Sequence, residues 1–443
     1  MNGPLYMQTA NNTVLVRRLK RKGDGPMKQL ARWFIENQIG FCFNILALLF
    51  CTHFLLPKAQ SHTVKYFTLS YYHADTGKYG IGSDDGYFIA FFIVLLTGLR
   101  AVTMEYMFAP LAKRWGISKK KEVTRFSEQA WNIVWYGGSS ALGVYLYYTS
   151  PYWLNMKELW TDWPNRELGG LMKAYLLWEL VYYTQQCLIL NIEERRKDHW
   201  QMFSHHLITI VLIYGSYRFG HTRVGNVILV LMDTVDVVLV VAKCTKYLGF
   251  TRVCDALFGL FMLSWFVNRH IIYNLICWSV WEDTPKIMPT GCFRGAYNNL
   301  TGPFEIPEGT RSYLSEAIRR SDGLLCYDDK VMKGFLACLV SLQLIMIVWF
   351  FMIVKVAVRV INGTGADDVR SDDEAGDSED EEEFIYEEAQ PLEEEVGVEE
   401  IDLKNWERRT GVKRQASTSG VSLPGHSDRK ELLGRIGCEK QVE

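Results

Sequence analysis

The stretch QMFSHHLITIVLIYGSYRFGHTRVGNVILVLMDTVDVVLVVAK, Gln201 to Lys243, decides the fold class. Two apolar runs are joined by a very short turn, and each carries ionisable groups where a plain membrane crossing would have Leu or Val. His205 and His206 stand back to back in the first run. Asp233 and Asp236 lie one helical turn apart in the second. A carboxylate in the middle of a membrane helix costs roughly 2.5–3.5 kcal/mol, so two on one helix cost roughly 5–7 kcal/mol. Intramembrane ionisable groups are therefore read as a functional site, with the two histidines as partners of the aspartates.

Working outward, the same kind of apolar run recurs along most of the chain. The 443 residues are 49% hydrophobic and 14% aromatic, with a formal net charge of −2 and no basic excess that would suggest nucleic acid as a partner. The mean hydropathy of −0.03 averages an apolar middle and two charged ends. At about 20 apolar residues per crossing, the chain predicts about eight spanning helices, near residues 39–56, 87–109, 130–149, 169–190, 201–219, 224–243, 254–280 and 333–358. The expected fold is an all-α polytopic membrane protein.

Charge sets the expected topology. Arg17, Arg18, Lys20, Arg21 and Lys22 put the N-terminal tail, residues 1–38, in the cytosol by the positive-inside rule. That tail has no apolar core of a cleaved signal peptide. Residues 39–117 hold the first two helices and their loops. An even number of helices returns the C-terminus to the cytosol, and the segment from Trp281 to Met332 falls on the luminal side. It contains the sequon Asn299-Leu300-Thr301, a glycosylation candidate, together with Cys292 and Cys326. Structural disulfides belong to an oxidising compartment, so a bond between these two is expected. The ten cysteines show no metal-ligand spacing, and no metal site is predicted. Residues 361–443 change character: eleven of the seventeen residues from Asp367 to Glu383 are acidic, a composition that stays disordered. Ser371 and Ser378 each precede acidic residues, the pattern read by an acidophilic kinase of the casein kinase II type; the alternative is a merely solubilising tail.

Helix geometry refines the site. His205 lies roughly 8 Å in from the cytosolic end of its helix and Asp236 roughly 10 Å in, so the two are level. Asp233 sits one turn deeper on the same face as Asp236. Adjacent histidines are about 100° apart around the axis, so His205 and His206 cannot both address one atom. A histidine oriented by a carboxylate is a general base; the same imidazole could also attack an activated acyl group. Both suit acyl transfer to an amine or alcohol, with His205 the favoured group and His206 the alternate. Arg195, Arg196 and Lys197, just outside the helix, suit the phosphates of an acyl donor, although a basic flank is also simply topogenic. Glu179, Gln185 and Gln186 read as interhelical hydrogen-bonding groups. Arg269 needs a buried acid or a substrate anion. Two other chemistries fail: an HxxHH helix would need His where Met202 stands, and nine histidines, mostly dispersed, do not make a di-iron cluster.

From Arg195 to Phe250, RRKDHWQMFSHHLITIVLIYGSYRFGHTRVGNVILVLMDTVDVVLVVAKCTKYLGF resembles the Lag motif of ceramide synthases, of the fungal longevity-assurance type. WFVNRHIIYNLICWSVW, Trp265 to Trp281, is similar to the helix that follows in those enzymes. The resemblance spans roughly residues 118–360, the TLC domain. It implies N-acylation of a long-chain base, dihydrosphingosine or phytosphingosine, by a fatty acyl-CoA co-substrate without a further cofactor, in the endoplasmic reticulum membrane. The family's His pair falls on His205 and His206, and its motif aspartates on Asp233 and Asp236. The acidic tail is similar to that of yeast-type enzymes, which implies very long acyl chains and a small single-pass regulatory subunit, although a second fungal branch that uses shorter chains is equally compatible with the tail; a second synthase protomer is a further expected partner. The competing expectations are a non-catalytic lipid sensor with a TLC domain and an acyltransferase for another lipid acceptor.

Overall fold

The computed structural model describes residues 6–8, 14–19, 26–193, 198–295, 299–307, 310–320, 322–362 and 384–388. They fall into two compact units, residues 1–21 with 381–443, and residues 22–380.

In the first unit, three antiparallel strands run in the order Tyr6–Gln8, Val14–Leu19, Phe384–Glu388. The last of these lies in the tail that composition reads as disordered. The strand occupies Phe384-Ile385-Tyr386, a short apolar patch in an acidic region, which pairs in register with Arg17, Arg18 and Leu19.

The second unit is helical. Helix α1 (Pro26–Leu55) is followed by the short α2 (Gln60–Phe67). Helix α3 (Asp85–Val102) passes through a π-helical turn, Thr103–Phe108, into α4 (Ala109–Arg114). Then come α5 (Lys120–Tyr148), α6 (Gly170–Ile192), α7 (His199–Arg218) and α8 (Thr222–Tyr247). Helix α9 (Thr251–Trp265) continues through a second π-helical segment, Phe266–Ile272, into α10 (Tyr273–Glu282). After the short α11 (Thr284–Ile287) and α12 (Thr310–Arg319), the long α13 (Asp329–Ile361) closes the unit.

Each apolar run read from the sequence thus coincides with a long helix or continuous helical run. Four of them, over Gln29–Leu55, Asp85–Arg114, Thr251–Glu282 and Asp329–Val360, are long and apolar enough to cross a membrane by composition. Helices α5 to α8 are more polar, and many of their polar groups are buried inside the unit: Ser139, Glu179, Gln185, His206, Asn226 and Asp233.

Helix α8 packs along α5 on one side and α9 on the other, and α7 lies between α6 and α13. Gly143 permits the close approach of α5. A Cβ there would come within 2.6 Å of Tyr175 Oη on α6 and 2.8 Å of Val230 Cγ2 on α8. Gly143→Leu should therefore overpack the interface and cost about 1–3 kcal/mol or more, read as a lower melting temperature of the purified protein. Gly137→Ala in the same helix, where no atom lies within 4 Å of the added carbon, should raise it slightly by removing helix-interior glycine. Equal melting temperatures for the two variants would contradict this packing. The turn between α7 and α8 needs Gly220, which has φ +76° and would press a Cβ to 3.0 Å from the Asn165 carbonyl.

The segment after α10, to which the sequence assigns a side of the membrane but no secondary structure, contains a small sheet. Thr301–Phe304, Gly291–Arg294 and Leu325–Tyr327 form an antiparallel sheet in that order, and Cys292 is disulfide-bonded to Cys326 across it. Strands of three or four residues are too short to show an alternating pattern, so the sequence carried little sign of them. Arg166 Nη2 donates to the Gly323 carbonyl (2.5 Å) and Trp160 Nε1 to Ser279 Oγ (2.8 Å), which ties the loop after α5 to this cap and to α10. Asp328 caps α13 by accepting from the Val331 N–H at 2.7 Å, and Tyr313 Oη donates to its other oxygen at 2.7 Å.

Candidate active site

The buried polar groups gather where α5, α6, α7, α8 and the π-helical segment meet. Asp233 on α8 is fully buried, and its Oδ2 accepts from Ser139 Oγ of α5 at 2.6 Å. The same hydroxyl is hydrogen-bonded to Glu179 Oε1 of α6, which is also fully buried. A serine has one hydrogen to give, so it serves one carboxylate; the second carboxyl group must meet the hydroxyl oxygen as a donor. Gln185, also expected to bond between helices, is fully buried with neither amide atom hydrogen-bonded among the described residues.

Asp236 is bound differently. Arg269 Nη2 donates to its Oδ1 at 2.7 Å and to the Met232 carbonyl at 3.0 Å. The guanidinium lies 4.0 Å from the Trp265 ring centroid, a cation–π contact. Arg269 comes from the π-helical segment, a local widening of the helix that is frequent at functional sites. Of the two partners considered for this arginine, the structure has the acid.

The histidines sit beside this network. The rings of His205 and His206 are 5.4 Å apart. Tyr183 of α6 lies 5.6 Å from His206 and 6.4 Å from His205, and Trp349 of α13 lies 5.2 Å from His205. Nδ1 of each imidazole is buried without a hydrogen bond. No hydrogen bond or ion pair joins either histidine to Asp233 or Asp236 among the described residues, which corrects the expected direct His–carboxylate contact. Counting residues along two helices fixes depth but not the direction each side chain takes. Here Arg269 and Ser139 claim the two carboxylates.

Two cavities meet at the histidines. A polar chamber of about 250 Å³ is lined by His205, His206, Asp236 and Arg269, by Arg100, Arg125, Lys243 and Lys246, and by the acids Glu128, Glu193 and Asp198. An apolar cavity of about 70 Å³ runs between α7, α8 and α13 toward the cap, past Leu212, Ile228 and Leu339. Tyr183 and His205 line both. His206 lines the polar chamber.

Residues 125–355 match the TLC domain. The chain belongs to the TLC-domain family. The match lies inside the 118–360 segment read from the sequence and covers about half of the chain. The TLC-domain protein is 42% identical over 400 residues to Ceramide Synthase FUM18 of Gibberella moniliformis, with 90% of each chain covered. It is 38% identical over 358 residues to Sphingosine N-acyltransferase lag1 of Schizosaccharomyces pombe, covering 81% of this chain and 85% of that one. With Ceramide synthase LAG1 of Saccharomyces cerevisiae it shares 28% identity over 362 residues, 79% of this chain and 81% of the other. Within the family this TLC-domain protein is thus of the fungal Lag1 type, and it is a multi-pass membrane protein.

Of the other predicted site residues, Asn299 is exposed beside the cap sheet, and Cys292 and Cys326 are bonded. Arg195, Arg196, Lys197, Ser371 and Ser378 lie outside the described residues. The sequence reading missed Ser139, Tyr183 and Trp349, and treated Glu179 as packing. A serine pair inside the apolar run of α5, Ser139-Ser140, was the one signal available.

Proposed function

We propose that this TLC-domain protein is an acyl-CoA-dependent sphingoid-base N-acyltransferase, a ceramide synthase, of the endoplasmic reticulum membrane. The observation that carries the reading is the shared wall formed by His205 and Tyr183. An acyl-CoA is half water-soluble and half oil-soluble, and its reactive thioester lies at the border. The basic side chains of the polar chamber, which stand among the acids Glu128, Glu193, Asp198 and Asp236, suit the phosphates and nucleotide, and an apolar cavity suits the acyl chain. The thioester carbonyl would then lie at His205.

In the reaction, the amine of the long-chain base attacks that carbonyl. An N–C bond forms, the C–S bond breaks, the amine loses a proton and the thiol of CoA takes one up. His205 is the group to move that proton, or to carry the acyl group itself between two successive attacks. Intact mass of the protein given acyl-CoA without acceptor separates the two: a mass gain of one acyl group, lost in His205→Gln, marks the covalent route. The Asp236–Arg269 pair would hold the chamber wall in one geometry and keep a balanced charge beside the carbonyl. Arg100, Arg125, Lys243 and Lys246 join the predicted Arg195, Arg196 and Lys197 as candidates for phosphate contacts.

The orientation that fits has the polar chamber toward the cytosol with both termini, and the cap toward the lumen. Asn299 is then accessible for glycosylation, while Ser371 and Ser378 face a cytosolic acidophilic kinase. A single-pass subunit or a second protomer would meet the outer helices, whose apolar side chains are exposed on α1, α9 and α13.

The test is mass spectrometry of products from purified full-length protein given mixed acyl-CoAs with dihydrosphingosine, phytosphingosine, a sterol and a glycerolipid. Amides of the long-chain bases are expected. Esters in their place would mean another acceptor, and binding without product would mean a lipid sensor. Leu212→Trp, which fills the apolar cavity, should shift the products to shorter acyl chains and cut turnover of the longest by about tenfold or more; an unchanged chain-length profile would remove that cavity from the acyl path.

A further inference from the structure

The apolar cavity has a polar floor. At the end away from His205 it is lined by His221, Thr284 and Tyr327. From His205 to the end of α7 at Arg218 is about 20 Å along the helix, so this floor lies far from the reacting groups. Tyr327 is buried, and its Oη lies within hydrogen-bonding reach of the Thr284 hydroxyl. His221, in the turn between α7 and α8, is held by rings: Trp163 stacks on it at 6.3 Å, Phe335 meets it edge-on at 5.3 Å, and Tyr327 lies at 6.4 Å. The His221 imidazole is half-buried between these rings. Burial among these rings pushes its pKa down to about 4, so the imidazole is neutral and offers one donor and one acceptor. Thr284 gives its hydrogen to the Val280 carbonyl and keeps lone pairs to accept with.

A hydrocarbon end needs none of these groups. A floor meant for a methyl terminus would be built from Leu, Val or Phe, because a buried donor without a partner costs stability. Resting on the proposed N-acyltransfer, we propose that the His221–Tyr327 floor is a subsite for a hydroxyl group at the far end of the acyl chain, so that the enzyme accepts terminally hydroxylated very long acyl-CoAs in preference to plain chains of equal length. The hydroxyl supplies both a donor and an acceptor, and the site offers the Tyr327 oxygen, beside Thr284, and a His221 nitrogen to meet them. The discrimination depends on length. A chain too short to reach the floor would leave its hydroxyl against the apolar wall formed by Leu212, Ile228 and Leu339, where it is penalised.

The experiment compares kcat/KM for pairs of acyl-CoAs that differ by one terminal hydroxyl, over a series of chain lengths. It uses full-length protein in lipid nanodiscs with dihydrosphingosine as acceptor. The hydroxylated member should be favoured severalfold or more at the longest lengths and disfavoured at short ones. Tyr327→Phe should cut the use of the long hydroxylated chain about tenfold while plain chains of all lengths stay within about twofold. His221→Phe should act in the same direction, and His221→Gln, which keeps a donor and an acceptor, should retain the preference. A hydroxyl disfavoured at every length, or a ratio that Tyr327→Phe leaves unchanged, overturns the proposal; the latter result would leave the floor as a seat for water. Failure to form amide from any acyl-CoA would instead strike at the N-acyltransferase reading itself.

Discussion

Replacing His205 with Ala should lower N-acyl transfer by roughly a thousandfold or more, within the range for loss of a general base or nucleophile, while the protein accumulates and melts much as the parent does. His205 lines both cavities, whereas the residues around it, Tyr183 and Trp349, are positioned to hold its ring. It makes no hydrogen bond through Nδ1, so its removal leaves no buried partner stranded. His206→Ala should be milder, since His206 lines the polar chamber and is packed against Tyr183. The measurement is initial rate of amide formation by purified variants matched for melting temperature. A His205→Ala enzyme within tenfold of the parent would take His205 out of the reaction. A larger loss in His206→Ala than in His205→Ala would exchange their roles.

Arg269→Ala is expected to have the second large effect, on stability as well as on turnover. It removes the cation that meets Asp236 at 2.7 Å. Breaking a buried pair costs about 3–5 kcal/mol, and less here because Asp236 keeps 22% of its side-chain surface exposed. The double variant Arg269→Ala with Asp236→Ala should recover part of that loss, since the carboxylate is removed together with its cation. Amide formation should stay low in all three variants. If the single and double variants melt alike, the 2.7 Å pair carries no coupling and the stability argument is wrong.

Most of the scaffold was legible because membrane helices announce themselves by length. The apolar runs from Ile39 onward match helical runs in the structure, although α1 starts at Pro26, ahead of its apolar core. The residues of the site were legible for a related reason: His205, His206, Asp233 and Asp236 are expensive in apolar surroundings and stand out against Val and Leu. Their pairing was not legible. It depends on the azimuth of each side chain, on Arg269 thirty-three residues beyond Asp236, and on Ser139, ninety-four residues before Asp233. The cap sheet was equally hidden, because its short strands are joined by contacts distant in sequence and by a disulfide whose partners are separated by 34 positions. The strand at Phe384–Glu388 escaped for the opposite reason: a few apolar residues were averaged into a strongly acidic window.

The Asp236–Arg269 pair also sets a clock on biosynthesis. Asp236 leaves the ribosome 33 residues ahead of the arginine that meets it, an interval of roughly 2–7 s at ordinary elongation rates. During that time α8 is a helix with two acids, and its own arginine does not yet exist. The nascent helix must wait beside the insertion machinery, or shelter its acids against α5 and α6, which are already made. When Phe266–Ile272 emerges, Arg269 can meet Asp236. A pause in synthesis after Asp236 has emerged and before Arg269 has would therefore hold the chain at its most vulnerable stage, and codon choice over the stretch translated in that interval becomes part of how reliably this protein is made.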